Sequence, residues 1–183
     1  MGRGRSGAGC LNEEAGVVND YIGHGVKQRA AVRMTPEEIE MFLAERHSMT
    51  MSTINADGSI HSVGMWYGFL EGAVGLESKA KAQKVLNLRR NPNITLLVED
   101  GHSYEELRGV SIIGKAEIVA DQERMWELGV SVFSRYNAPY TEAMRPAVEA
   151  MLNKRVVVKV IPTRIVSWDH RKLGLKPSRT PVA

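Results

Sequence analysis

Among its 183 residues the chain has one cysteine, no long apolar run and few aromatic side chains. A single thiol rules out an intramolecular disulfide framework. Cys10 sits in a Gly/Arg-rich start where nothing lowers its pKa, which speaks against a catalytic thiol and for a reducing, cytoplasmic compartment. No stretch approaches the length of a membrane span, and the charged start lacks the apolar core of a signal peptide. The five histidines (His24, His47, His61, His102, His170) show neither H-E-x-x-H nor H-x-H spacing, and no second cysteine could complete a thiolate zinc site. G-x-S-x-G is missing as well: Gly109 to Gly114 has the wrong spacing and falls inside an expected strand. Without G-x-x-x-x-G-K-[ST], motif-based nucleotide triphosphate hydrolysis is excluded. Net charge is only +3 and aromatics make up 6% of the residues, so wholesale nucleic-acid binding is not indicated. These absences leave binding of a small anionic ligand or cofactor.

Residues 1–33 are glycine-rich without sustained periodicity and read as a flexible arm. Gly2, Gly4 and Gly7 spell G-x-G-x-x-G, but no strand precedes them and no helix follows, so the dinucleotide reading lacks its mechanical context. Order is expected from Met34. Thr35, Pro36 and Glu38 form a capping box with proline at the first helical position, and Met34 and Ile39 are spaced as a hydrophobic staple. From Ser48 the period changes to that of strands. Thr50–Ile54 and Ser59–Phe69 flank the turn Asn55-Ala56-Asp57-Gly58, and a second turn at Glu71-Gly72 leads into Ala73–Glu77. Further strands are expected at Asn93–Glu99, Val110–Val119, Arg155–Ile161 and Arg164–Trp168, the last two broken by Pro162. Asp121 should cap a helix to about Tyr136. Thr141 should start another, kinked near Pro146. The expected fold is mainly β (α+β), a small barrel of about six to seven antiparallel strands with flanking helices, over residues 34–172, followed by a tail at 173–183.

The stretch Leu76–Pro92, LESKAKAQKVLNLRRNP, holds the densest chemistry. It reads as strand, turn and helix, with Ser78 capping a helix that Asn91 and Pro92 stop. Lys79, Lys81, Lys84, Arg89 and Arg90 follow Glu77 with no acid before Glu99, and Lys81, Lys84 and Asn87 would form one row of that helix. A helix N-terminus with cations beside it can hold a phosphate by charge and by unpaired N–H groups together. The alternative is a solvated basic face around an apolar stripe of Ala82, Val85, Leu86 and Leu88.

Short helix, hairpin with a D-G turn, the strand HSVGMWYGF, the run ESKAKAQKVLNLRRNP and the strand ITLLVEDG together resemble the flavin-binding split β-barrels related to pyridoxamine 5′-phosphate oxidase. Within that group the chain most resembles the actinobacterial branch that binds the deazaflavin coenzyme F420. The resemblance covers about Met34 to Lys172 and implies a homodimer packed barrel to barrel, with the cofactor in a groove at the interface. By that resemblance Ser62, Val63, Gly64, Met65 and Trp66 line the flavin-like ring. Ser78, Lys79, Lys81, Gln83 and Lys84 hold its phosphate, and Asn87 adds a hydrogen bond. Met65 and Trp66 fit core or dimer packing equally well. The run Ser167-Trp168-Asp169-His170-Arg171-Lys172 would cover the ring or meet an anionic tail from the partner subunit, or else form a surface edge with Asp169 paired to a neighbouring cation.

The implied reaction is hydride transfer from reduced F420 to an electron-poor small-molecule acceptor, with no residue obliged to act as general acid. His61 and Tyr67 fall on the strand face opposite Ser62, Gly64 and Trp66. The alternatives are FMN with oxygen as acceptor, and a non-catalytic carrier of F420, FMN or haem. Against the oxidase, the chain lacks that enzyme's fuller arginine-containing C-terminal pattern.

Overall fold

The computed structural model describes residues 28–45 and 47–175. The Gly2–Gly7 motif and Cys10 lie outside them. Helix α1 (Gln28–Ala31) precedes α2 (Pro36–Ala44), and then come β1 (Met49–Ile54), β2 (Ile60–Met65), β3 (Gly68–Leu70) and β4 (Ala73–Lys79). After α3 (Gln83–Arg90) follow β5 (Asn93–Asp100), β6 (Arg108–Val119), α4 (Gln122–Tyr136), α5 (Arg145–Leu152) and β7 (Arg155–Asp169). A 3-10 turn at Glu142–Met144 runs into α5, so the bend expected near Pro146 falls at the start of that helix.

One antiparallel sheet carries all seven strands in the order β2-β1-β5-β6-β7-β4-β3. Its two edges, β2 and β3, are consecutive in sequence. Trp66 and Tyr67 therefore carry the chain from one edge to the other, and the sheet must curl to let so short a link reach. This is a split barrel, as expected. The expected single strand Ser59–Phe69 is two strands, because the backbone leaves one edge of the sheet at Met65 and joins the other at Gly68. Conversely, the strands expected on either side of Pro162 are one strand of 15 residues. Its register against β6 shifts at Ile113/Gly114, where Thr163 is the extra, unpaired residue of a bulge next to Pro162, which has no N–H to give the ladder.

Alternation sorts the side chains. Met49, Met51, Ile94, Leu96, Val98, Val110 and Ile112 face inward, where Phe42 and Leu43 of α2 and Leu88 of α3 complete the core. The capping box is made: Glu38 N–H donates to Thr35 Oγ1 at 3.2 Å and Thr35 N–H to Glu38 Oε2 at 2.7 Å. At the other end of α2, the Arg135 guanidinium donates to the carbonyls of Leu43, Ala44 and Glu45. It also lies 4.5 Å from the Tyr67 ring centre. Three orphan carbonyls of a helix end are satisfied by one side chain. Of the expected arm, residues 28–33 include α1 and the buried Val32, whose carbonyl accepts from Asp169 N–H at 2.7 Å.

On the outer face α4 packs over β3, β4 and the far half of β7, through Leu128 and Val132 against Leu70 and Val157. Gly68 and Gly75, directly paired in register, make that approach possible. A Cβ on Gly75 would stand 2.8 Å from Leu128 Cδ1. The outer face of β2-β1-β5-β6 has no such cover among the described residues. Across it runs the row Ser62, Ser52, Thr95, Ile113, and beside it Gly64, Thr50, Leu97, Ser111. Gly75→Ala should force Leu128 off its rotamer and lower stability by about 1–3 kcal/mol. Urea denaturation checks this, and a midpoint equal to that of the parent chain would contradict the close packing of α4.

Candidate functional site

The end of β2 meets the end of β4 where the sheet is split. β3 pairs with β4 only over Ala73–Gly75, so the edge of β4 from Leu76 to Lys79 is left without a strand partner on that side. A cavity of about 380 Å³ lies there, lined by Ser48, Gly64, Met65, Trp66, Glu77, Met151 and Arg155. Three of the ring-lining candidates thus fall in one cavity wall. Ser62 and Val63 precede them on β2, and the Ser62 hydroxyl is 2.8 Å from that of Ser52 on the outer face.

Trp66 and Tyr67 show why the seam has the walls it has. Tyr67 is fully buried, and its hydroxyl donates to the Leu43 carbonyl at 2.9 Å. Trp66, one residue earlier, points out and is 52% exposed. It stacks on Tyr136 with ring centres 4.7 Å apart and planes 4° from parallel. The Tyr136 hydroxyl in turn donates to the His47 carbonyl at 2.5 Å and accepts from Tyr67 N–H at 3.4 Å. In the sequence Tyr136 reads only as the approximate end of the helix that Asp121 caps. Its partner is 70 positions away, across the seam, and no local pattern signals it.

The phosphate candidates are arranged differently from expectation. Ser78 does not cap the helix: it pairs with Val156 in the ladder and is 3% exposed. The strand runs on through Lys79, and α3 begins at Gln83 with Ala82 as its N-cap and no side-chain cap. The strong β4–β7 pairing wins over the local capping preference of serine. Lys81 therefore sits in the turn before the helix, and the row Lys81, Lys84, Asn87 does not exist as a helical face. Leu86, placed in the apolar stripe, is 46% exposed, while Val85 and Leu88 are buried.

Asn87 is fully buried, and its amide donates to Thr53 Oγ1 at 3.1 Å and Asn55 Oδ1 at 2.8 Å. Its oxygen accepts from Gln83 Nε2 at 2.8 Å. These bonds tie α3 to the β1–β2 hairpin. Lys79 Nζ donates to the Asn153 carbonyl at 2.8 Å. Lys81 and Lys84 have no ion pair among the described residues. Burial, and then the neighbouring Arg155 charge, hold the Lys84 ammonium below its usual pKa. An uncapped helix start beside two uncommitted ammonium groups is chemically suited to a phosphate.

Glu77 and Arg155 were not among the candidates. Glu77 is 6% exposed, its Oε2 has no hydrogen-bond partner, and neither has Arg155 Nε. Their closest approach is 3.9 Å, between Glu77 Oε1 and Arg155 Nη1. Burial pushes the Glu77 carboxyl up to about 7, against the opposing pull of Arg155 and Lys79. In the sequence Glu77 read as the last residue of a strand, and only the fold turns it toward the seam.

The remaining candidates lie elsewhere. Trp168 covers Gly109 on the neighbouring strand, where a Cβ would meet the indole at 2.3 Å. Asp169 pairs with Arg171 at 2.6 Å, as the surface-edge reading had it. A larger apolar cavity of about 800 Å³ opens between α2 and the β3–β4 hairpin, lined in part by Met34, Ile39, Phe69 and Val74.

Comparison with known proteins adds the following. The family model described as pyridoxamine 5′-phosphate oxidase matches residues 35–169. A solved conserved hypothetical protein, Rv2991 of Mycobacterium tuberculosis, is 47% identical with a TM-score of 0.81, over 85% of this chain and 97% of that one. A solved F420 reductase is 27% identical with a TM-score of 0.56, over 72% of this chain and 98% of that one. HutZ, the heme storage protein of Vibrio cholerae, at 16% identity and a TM-score of 0.58 over 74% and 95% of the two chains, shares the fold. Among curated proteins nothing matches.

The raised carboxyl at Glu77 has a consequence for stability. The folded protein holds this proton more tightly than the unfolded chain, whose carboxyl titrates near 4.5. The stabilisation is therefore complete below about pH 4.5 and is lost as pH rises through about 7, amounting to roughly 3 kcal/mol. Glu77→Gln should raise the urea midpoint at pH 8 and leave it unchanged at pH 4.5. Equal midpoints for the two proteins at pH 8 would show that Glu77 is not desolvated.

Proposed function

The chain belongs to the pyridoxamine 5′-phosphate oxidase family, and from that premise we propose that it is an F420-dependent reductase that works as a homodimer, with the cofactor at the seam between β2 and β4. The observation that carries this reading is the meeting of two features in one place. The free edge of β2 brings Gly64, Met65 and the exposed Trp66 into one cavity with Arg155, and the Arg155 charge acts in turn on Lys84 at the uncapped start of α3.

The seam suits a flat ring with a phosphate tail. As an edge strand, β2 has alternate backbone N–H and C=O groups facing away from the sheet, able to meet a polar ring edge. At Gly64 an added Cβ would meet nothing within 4 Å, so the backbone there is open to close approach. Met65 and Trp66 supply apolar surface. A phosphate at the start of α3 would accept from its free N–H groups and relieve the desolvated Lys84. F420 carries a phospholactate and glutamates where FMN ends in one phosphate, and the succession Lys79, Lys81, Lys84, Arg89 favours the longer anion. The similarity to a solved F420 reductase supports the same choice.

Bound and reduced, F420 supplies a hydride to an electron-poor acceptor such as an enone, a quinone or a tetrapyrrole bridge. The protein orients the ring and excludes water at the seam. The open outer face, with small side chains at Ser62, Gly64, Thr50 and Ser111 around Ile113, is flat enough to receive a second copy. A partner there would close the groove over the ring.

Turnover of reduced F420 with a panel of such acceptors tests the enzyme reading. Saturable F420 binding without oxidation above background would overturn it and leave a carrier. Lys84→Ala should weaken F420 binding about tenfold and make what remains less salt-dependent, and an unchanged dissociation constant would remove Lys84 from the site. Ile113→Asp should leave circular dichroism intact while converting dimer to monomer in sedimentation. A dimer that persists in this variant would place the interface elsewhere.

A further inference from the structure

Away from the seam, the second half of β7 is open on one side. β4 pairs with β7 no further than Lys159, so from Val160 onward β7 has no strand partner there among the described residues, until Asp169 N–H reaches the Val32 carbonyl. The backbone of that stretch is an unpaired edge. Beside it lies the apolar cavity of about 800 Å³, whose walls include Met34, Ile39, Phe69, Val74, Ile112 and Val160. A second cavity of about 640 Å³ is lined by Arg29, Arg33 and Arg164 and by no acid. Arg33, Ile165 and Ser167 line both, so the two form one groove. None of the three arginines has an ion pair among the described residues, and Glu40 of α2 is the one acid on either wall. The groove shares no lining residue with the seam cavity.

A polypeptide can use an open edge, an apolar cavity and a cluster of cations together, provided that it carries apolar side chains and carboxylates. We propose that residues 11–22 of this same chain, LNEEAGVVNDYI, dock in the groove, with Val17, Val18, Tyr21 and Ile22 over the apolar cavity and Glu13, Glu14 and Asp20 against the three arginines. Between Arg5 and Lys27 the sequence has no lysine or arginine, so no cation of the segment opposes that pairing. The length of chain allows it. Residues 23–27 can span about 20 Å between Ile22 and Gln28. Helix α1 begins at Gln28 and itself lines the groove through Arg29, so the segment is tethered at the groove's mouth.

That tether gives the segment a high effective concentration, which favours it over a free partner of the same chemistry. Exposed ion pairs contribute little each, so burial of the four apolar side chains supplies most of the attraction, and the charges decide which way the segment lies. Docking also covers Ile165, which is 40% exposed where the two cavities meet. The segment thus closes a groove distinct from the cofactor seam, whatever the seam holds.

Cys10, the chain's one thiol, allows a nitroxide to be placed beside the segment in the full chain. The amide signals of Phe69, Val74, Ile112 and Ile165 should broaden, and reduction of the nitroxide should restore them. Arg33→Glu combined with Arg164→Glu should abolish the broadening and raise the rate of chymotrypsin cleavage after Tyr21 severalfold, with circular dichroism unchanged. Adding Glu13→Lys and Glu14→Lys to that variant should return both readings toward those of the parent, a rescue that general damage to the fold would not permit. Ile22→Asp should release the segment as the arginine reversals do. Unbroadened signals in the parent, or broadening that survives the arginine reversals, would overturn the docking. In a mixture of nitroxide-labelled chain with a 15N-labelled Cys10→Ser chain, the 15N signals should stay sharp. Broadening there would assign the groove to the segment of a second copy and contradict docking within one chain.

Discussion

The structure depends on one short crossing. The sheet begins and ends with strands that are neighbours in sequence, and Trp66-Tyr67 must span from β2 to β3. Because successive side chains of an extended chain point to opposite faces, one of the pair goes in and the other goes out. Tyr67 goes in, to bond the end of α2. Trp66 goes out, onto Tyr136. Arg135, beside Tyr136 on α4, lies over Tyr67 and holds the same three carbonyls of α2 together. Curl, helix docking and the seam all follow from that crossing.

The seam is also where the fold cannot satisfy itself. On the other half of the sheet, α4 covers the outer face of β3, β4 and the far half of β7, approaching closely at Gly68 and Gly75. At the end of β4 the partner strand has run out and the next helix has only begun. There the protein leaves an uncapped helix start, a desolvated lysine and a buried acid and guanidinium that do not touch. Each of these is costly alone. The acid and the guanidinium share one cavity with an exposed tryptophan and an open glycine, and the Arg155 charge reaches Lys84 at the helix start.

Much of this was legible in the sequence where a signal is local. Thr35-Pro36 with Glu38, the Asp57-Gly58 turn and the Asp121 cap each act over three or four residues, and each forms as read. Ser78 failed for the complementary reason: its capping preference is worth less than a place in the β4–β7 ladder, and that ladder joins residues far apart in sequence. The split of Ser59–Phe69 into two strands follows from closure of the sheet, which no local pattern encodes. Glu77 was hidden because a strand-terminal acid before a lysine run looks like a surface charge. Only with Arg155 brought beside it does it become chemistry.

The central claim is that a phosphate-bearing deazaflavin lies in the seam between β2 and β4. Backbone amide chemical shifts on titration with F420 test it directly. The account predicts shifts concentrated at Gly64, Met65 and Trp66 and at Gln83 and Lys84, the ring and phosphate ends of one ligand. Shifts confined instead to Ile39, Phe69 and Val74 would place the ligand in the larger apolar cavity under α2 and contradict the account.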